Sequence, residues 1–234
     1  MYSISSTFTL VINFIFGKGK GWHMGERNSD KKKITAKEFK NMISNGEKIE
    51  DSIVLEDIDL KNQIFCNLEI VDVEFQKSVD FSNSVFTGNT FFTGTSFRFH
   101  TNFSNAIFQM VCFERTSFPF GPKFENVVFT GFDKHNIFNF SPTTSFENSF
   151  LNSASFENAV FNGDTSFSEV IFFNTVNFQG TIFKNDISFY KIKPKGMFDL
   201  SNCLFGKDGR VVCSKGDVEI LRYTLPTRSL EVMI

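Results

Sequence analysis

The 234 residues carry 24 Lys and Arg against 26 Asp and Glu, and apolar residues make up 41% of the chain. That apolar share suffices for a packed core and argues against wholesale disorder, while a net charge of −2 argues against a chain built mainly to grip nucleic acid or an anionic membrane. The outlier is phenylalanine: 34 Phe stand against one Trp and three Tyr, a bias that points to one packing slot filled over and over.

Residues 1–33 read as a disordered N-terminal extension. Their apolar run, FTLVINFIF at 8–16, is far shorter than the ~20 residues that span a bilayer, so no transmembrane segment is expected. No Lys or Arg precedes the run and no AxA-like site follows it. A cytoplasmic location is therefore expected, with export through an N-terminal signal as the alternative. Met24, after GKGKGWH, opens a more ordinary soluble N-terminus. Residues 34–52 predict a helical cap. Thr35 and Glu38 make a capping box, and Ile34 and Phe39 suit a hydrophobic staple. Phe39, Met42 and Ile43 share one face before Asn45-Gly46 ends the helix.

From 53 to 205 an internal repeat dominates. Leu55, Leu60, Phe65, Ile70 and Phe75 beat every five residues. Five then alternates with six through Phe81, Phe86, Phe92, Phe97, Phe103 and Phe108, and the rhythm resumes from Phe156 to Phe189. The full unit of eleven also fits a right-handed helical coiled coil. That assembly needs apolar residues three and four apart, which these steps do not supply. Of 19 Phe anchors between residues 80 and 190, 17 have Ala, Ser, Thr, Val or Ile two residues earlier, and 12 have Asn or Gly two residues later. Positions i−2 and i share one face of a strand, and Asn and Gly tolerate the positive φ of a type II turn. Each unit is thus a short extended side, with a small and a large residue inward, followed by a sharp corner. The fold class is all-β, a solenoid. Coils of 22 residues stacked ~4.8 Å apart give a rod ~33 Å long, with Phe rings one coil apart stacked as ladders.

With these three positions obeyed together, ASFENAVFNGDTSFSEVIFFNTVNFQGTIFKNDISF resembles the pentapeptide-repeat family, in a Phe-centred variant with alternating 5/6 spacing. The resemblance covers about residues 53–205 and implies a right-handed quadrilateral β-helix, which the short helix would cap at its N-terminal end. Residues 206–234 fall outside the repeat and cap the rod, pair with a partner or dangle.

Candidates for chemistry are sparse. His23, His100 and His135 come without an HExxH or GxSxG motif or a glycine-rich phosphate loop, so no catalytic residue, cofactor or metal is expected and the chain reads as non-enzymatic. Cys66, Cys112, Cys203 and Cys213 show no CxxC and read as reduced thiols. Asp57, Asp59, Glu69, Asp72 and Glu74 fall mainly at outward positions, where they serve solubility. Thr90, Thr95, Thr101 and Thr165 take the inward slot, which argues against an ice-binding face.

What the rod offers is surface. Val85, Ile107, Val128, Val160, Ile171 and Ile182 precede their anchors by one residue and point outward, as do the out-of-register Phe91, Phe99, Phe132 and Phe173, which leaves apolar stripes. The repeat breaks at 119–123, 130–142 and 190–197, and the last break gathers Lys191, Lys193 and Lys195 beside Tyr190 as a small basic patch. The function expected is a protein-interaction scaffold or spacer, with an unknown protein partner or self-association and no direct nucleic-acid contact. Residues 54–205 hold 10 basic and 16 acidic residues, net −6. Pentapeptide-repeat proteins that protect type II topoisomerases do so by resembling duplex DNA, so the resemblance implies an alternative: a DNA mimic that binds a topoisomerase or another DNA-binding enzyme. The charge is sparse beside a duplex, which carries one every ~1.7 Å of axis.

Overall fold

In a computed structural model, residues 31–130, 144–206, 210–214 and 230–233 are described. The extension with His23 and Met24, the segment holding Phe132, His135 and Phe140, and most of the tail lie outside them. The solenoid and its helix belong to the unit formed by residues 33–234.

Helix α1 (Ala36–Ser44) starts at Thr35, whose hydroxyl accepts from the Glu38 N–H at 3.2 Å while the Glu38 carboxylate accepts from the Thr35 N–H at 2.8 Å. Asn45 caps its C-terminus, followed by Gly46 at φ +68°. Its one fully buried residue, Phe39, sets its ring edge-on to Phe75 at 5.3 Å.

Beyond the helix the chain winds into a β-solenoid of about eight turns, its short strands paired in parallel with the coils before and after. Inward anchors fall into four columns, one per side. Side 1 holds Val54, Phe75, Phe97, Phe118, Leu151 and Phe172, and side 2 holds Leu60, Phe81, Phe103, Phe124, Phe156 and Phe178. Side 3 holds Phe65, Phe86, Phe108, Phe129, Phe161, Phe183 and Phe205; side 4 holds Ile49, Ile70, Phe92, Phe113, Phe146, Phe167, Phe189 and Cys213. On side 1 the first rung is Val54 where the five-residue beat predicts Leu55, which is 45% exposed. A strand forces alternation, so the neighbour paired with Phe75 must be the one that points inward.

Corners after sides 2 and 4 are four-residue turns. Ser84, Thr95, Ala106, Thr116 and Thr181 each donate their N–H to the anchor carbonyl three residues back, across a residue with positive φ such as Asn83 (+57°) or Asn105 (+59°). Gly94 (+65°) sits in one of them, and a Cβ there would lie 2.1 Å from Asp72 Oδ1 of the previous coil. These turns fix a five-residue step. The sixth residue enters only at corners after sides 1 and 3. One such surplus, between Phe86 and Phe92, meets a five-residue step between Phe108 and Phe113, and the ladder absorbs it as a register shift after Phe108. A larger insertion lies at the same corner two rungs on: Phe108 pairs with Phe129, 21 residues on, but Val111 pairs with Thr144, 33 residues on.

In several coils the small inward residue after the tight turn carries a second ladder. Ser84 Oγ donates to the Leu60 carbonyl (2.9 Å), Thr95 Oγ1 to Ile70 (3.2 Å), Thr116 Oγ1 to Phe92 (2.6 Å) and Thr181 Oγ1 to Phe156 (2.7 Å). Each acceptor opens the equivalent corner one coil earlier. Cys203 occupies this slot in the last coils and donates its Sγ–H to the Phe178 carbonyl at 2.9 Å. Burial pushes its thiol up to about 12 and also raises the half-buried Cys112 thiol.

Phe167 is fully buried, stacked on Phe146 at 4.9 Å and on Phe189 at 5.7 Å. Phe167→Ala should cost ~3–5 kcal/mol in urea melts, because the cavity is walled by two other coils. Phe173→Ala, at a half-buried outward ring, should cost well under half of that, and equal losses would contradict the inward register. For the thiols, iodoacetamide should label exposed Cys66 first and Cys203 only on unfolding. The folded thiol of Cys203 keeps its proton while the unfolded one releases it near pH ~8.5, so stability should fall as pH rises above that point. Cys203→Ser, which keeps a donor to Phe178, should flatten this decline in melts recorded from pH 8 to 10.

Candidate interaction surface

Outward positions differ sharply from side to side. On side 3 the residue before each anchor is aliphatic in every described coil. Ile64 pairs with Val85, Val85 with Ile107, Ile107 with Val128, Val128 with Val160, Val160 with Ile182 and Ile182 with Leu204. Branched side chains in register support one another along a ladder, which explains their fit to a half-exposed strand surface. Ile64 is 78% exposed, Leu204 60% and Ile107 39%, with Val85, Val128, Val160 and Ile182 half-buried between them. Six coil steps make this a straight ridge ~29 Å long. Val85, Ile107, Val160 and Ile182 are thus brought together as the sequence suggests. Ile64 and Leu204 escape that reading, although each also sits one residue before an anchor and the same rule finds them once the repeat is followed to its ends.

Side 2 is the internal contrast. Its equivalent residues are Asp59, Asp80, Asn102, Lys123, Ser155, Asn177 and Asp199. The carboxyl of Asp59 is held below its ordinary value chiefly by the backbone N–H of Lys61, 3.2 Å away.

Side 1 corrects two expectations. Ile171, assigned above to an outward apolar stripe, is only 1% exposed: it lies between Phe150 of the coil before and Lys193 of the coil after, with Phe173 two residues on and the rings of Phe150 and Phe173 6.1 Å apart. It is no surface residue. Glu74, read as a solubilising carboxylate, is also buried; it accepts from Arg98 Nε at 3.2 Å and from the Gln76 amide.

Nor does the repeat break at 190–197. Ile192 is buried in the small-residue slot, and Pro194 takes the anchor slot opposite Phe172. Lys191, Lys193 and Lys195 are all exposed but are strung along a regular side; Lys191 occupies the corner at φ +52° with its ammonium 4.9 Å from the Tyr190 ring centre. Thr90, Thr95, Thr101 and Thr165 are buried inward.

His100 is exposed, with its ring 6.3 Å from that of Phe120. Among the described residues no three His, Cys, Asp or Glu side chains are grouped to hold a metal ion, and no helix is long and apolar enough to cross a membrane.

A sequence profile described as "Pentapeptide repeats (9 copies)" matches residues 146–192. Among solved structures, that of trypsin-treated QnrB1, a plasmid-mediated fluoroquinolone resistance protein, aligns over 73% of this chain and 95% of its own, at 15% identity and a TM-score of 0.24. No curated protein matches. The matched segment lies within the four anchor columns, and the coils on both sides of it repeat its sides and corners: the chain carries pentapeptide repeats and winds them into a β-solenoid.

Proposed function

We propose that this solenoid is a non-catalytic interaction scaffold and that the side 3 ridge is where it holds a partner protein. The observation that carries the reading is the contrast between two sides of one rod. Side 2 places Asp, Asn, Lys and Ser at the positions where side 3 places seven aliphatic residues, so the fold tolerates polar residues there and does not itself demand the ridge. Exposed apolar rows of this length are a liability in a protein without a partner for them.

The ridge is long and one side chain wide. An amphipathic helix of ~20 residues matches the length at 1.5 Å per residue, and its apolar side chains recur at a spacing close to the ~4.8 Å of the rungs. With residues 54–205 at net −6, the flanks of such a helix would be basic. The occupant is therefore a basic amphipathic helix of a partner protein.

A photo-cross-linking residue at position 128, installed in the full chain in its native cell, should give adducts whose peptides map to such a helix. Ile107→Lys with Ile182→Lys should reduce those adducts at least tenfold while moving the melting temperature by no more than a few degrees, because both sites are surface positions. Adducts to the solenoid of a second copy would replace the partner reading with self-association. Adducts to a topoisomerase that vanish steeply with salt, together with inhibited DNA supercoiling, would replace it with the DNA mimic.

A further inference from the structure

Among the described residues, the N-terminal end of side 3 is an unfinished ladder. In later coils, the N–H one residue before each side 3 anchor donates to the coil before it: Val85 to Gln63, Ile107 to Ser84, Val128 to Ala106, Val160 to Val127, Ile182 to Ala159 and Leu204 to Thr181, all between 2.8 and 3.0 Å. Ile64 and Cys66 hold the equivalent positions in the first rung and, among the described residues, have no coil before them. Strand Ile64–Cys66 pairs with Val85–Phe91 on one edge, and its other edge faces a groove of about 450 Å³. Helix α1 forms the opposite wall with Lys40 and Ile43, while Leu60, Phe65 and Leu68 give the groove an apolar floor. Phe65 stacks on Phe86 at 4.9 Å on the coil side.

We propose that this groove binds an extended peptide segment of a partner protein as an added parallel strand, with the residue pattern small, aliphatic, aromatic. The pattern follows from the register. Backbone groups of Ile64 and Cys66 demand a strand, because only an extended chain offers donors and acceptors at that repeat. In the ladder's own geometry, the C=O of Ile64 accepts from the N–H of the aromatic residue, whose C=O accepts from the N–H of Cys66. The aromatic ring then takes the place above Phe65 that Phe65 holds above Phe86. The aliphatic residue lies outward over Ile64 and prolongs the ridge, and the small residue avoids α1. This site is separate from the middle of side 3, and either can fail without the other.

The probe is a fluorescein-labelled peptide copying residues 83–89, NSVFTGN, the segment that pairs with the opposite edge of this rung. Fluorescence anisotropy with the full chain should show saturable binding. N-methylation of the peptide's Phe nitrogen should weaken it at least about tenfold, the loss expected for one hydrogen bond and a blocked strand edge. Ile64→Pro should weaken it similarly, since it removes an N–H that pairs with none of the described residues. Ile107→Lys should leave it unchanged. No binding at millimolar peptide overturns the proposal, and so does undiminished binding of the N-methylated peptide, a result that does not depend on how any variant folds.

Discussion

Everything in this rod depends on one coil resting on the next. A side of five residues buries nothing alone, and its strands are too short to stand without a ladder. Two sets of contacts make the stack cohere. Flat Phe rings repeat at 4.3–5.7 Å along each column, which suits the rise between coils, and meet edge-on across the section, as Phe81 and Phe92 do at 5.8 Å and 67°. The Phe excess follows from this geometry. A Tyr hydroxyl at the axis would have no partner, because the polar groups available there, the anchor carbonyls, are already taken by corner N–H groups and by Ser84, Thr95, Thr116 and Thr181.

Tight and slack corners divide the labour. Turns after sides 2 and 4 are closed by an N–H that donates to the anchor carbonyl three residues back, and in several coils that carbonyl also accepts a hydroxyl from the next coil, so their length does not vary. Corners after sides 1 and 3 lack that closure and accept an extra residue or, between Phe129 and Thr144, a whole segment. Inserted length thus leaves the columns in register: Phe129 still pairs with Phe161 and Cys112 with Ser145. A loop added at a slack corner adds surface at little cost to the core, since the cost of closing a loop grows only slowly with its length.

The inward half of the structure is legible in the sequence because it is dictated by a few steric rules repeated many times. Asn83, Asn105, Asn126 and Asn158 announce their corners, yet Arg115, Glu169 and Lys191 adopt the same positive φ. There the stack overrides local preference, paying a small strain for a shared ladder. For the same reason Pro194 is carried in an anchor slot, although a proline reads as a break when seen alone. The outward half is less legible. Whether Ile171 meets water depends on Phe150, which lies 21 residues before it, and Glu74 is buried with Arg98, 24 residues after it. No local pattern encodes neighbours at that distance; only the coil length, once known, identifies them.

The two ends of the solenoid are not equivalent, and among the described residues α1 closes only part of the N-terminal end. Val54, smaller than the Phe that follows it in its column, leaves room for Phe39 to reach down to Phe75, and Glu56 accepts from the Ala36 N–H at 2.9 Å. Helix α1 is thereby fixed by its own N-terminal turn over side 1. Along side 3 it stands apart as a wall, with Ile43 and Lys40 lining the groove. A cap designed solely to stop growth would cover the strand edge, since an open edge invites pairing with whatever chain arrives. Among the described residues, α1 instead stands across a groove of about 450 Å³ from that edge, with Lys40 and Ile43 facing Ile64 and Cys66. A chain that pairs with the first rung must therefore lie between the helix and the coil, so the helix that caps side 1 also bounds what can join side 3.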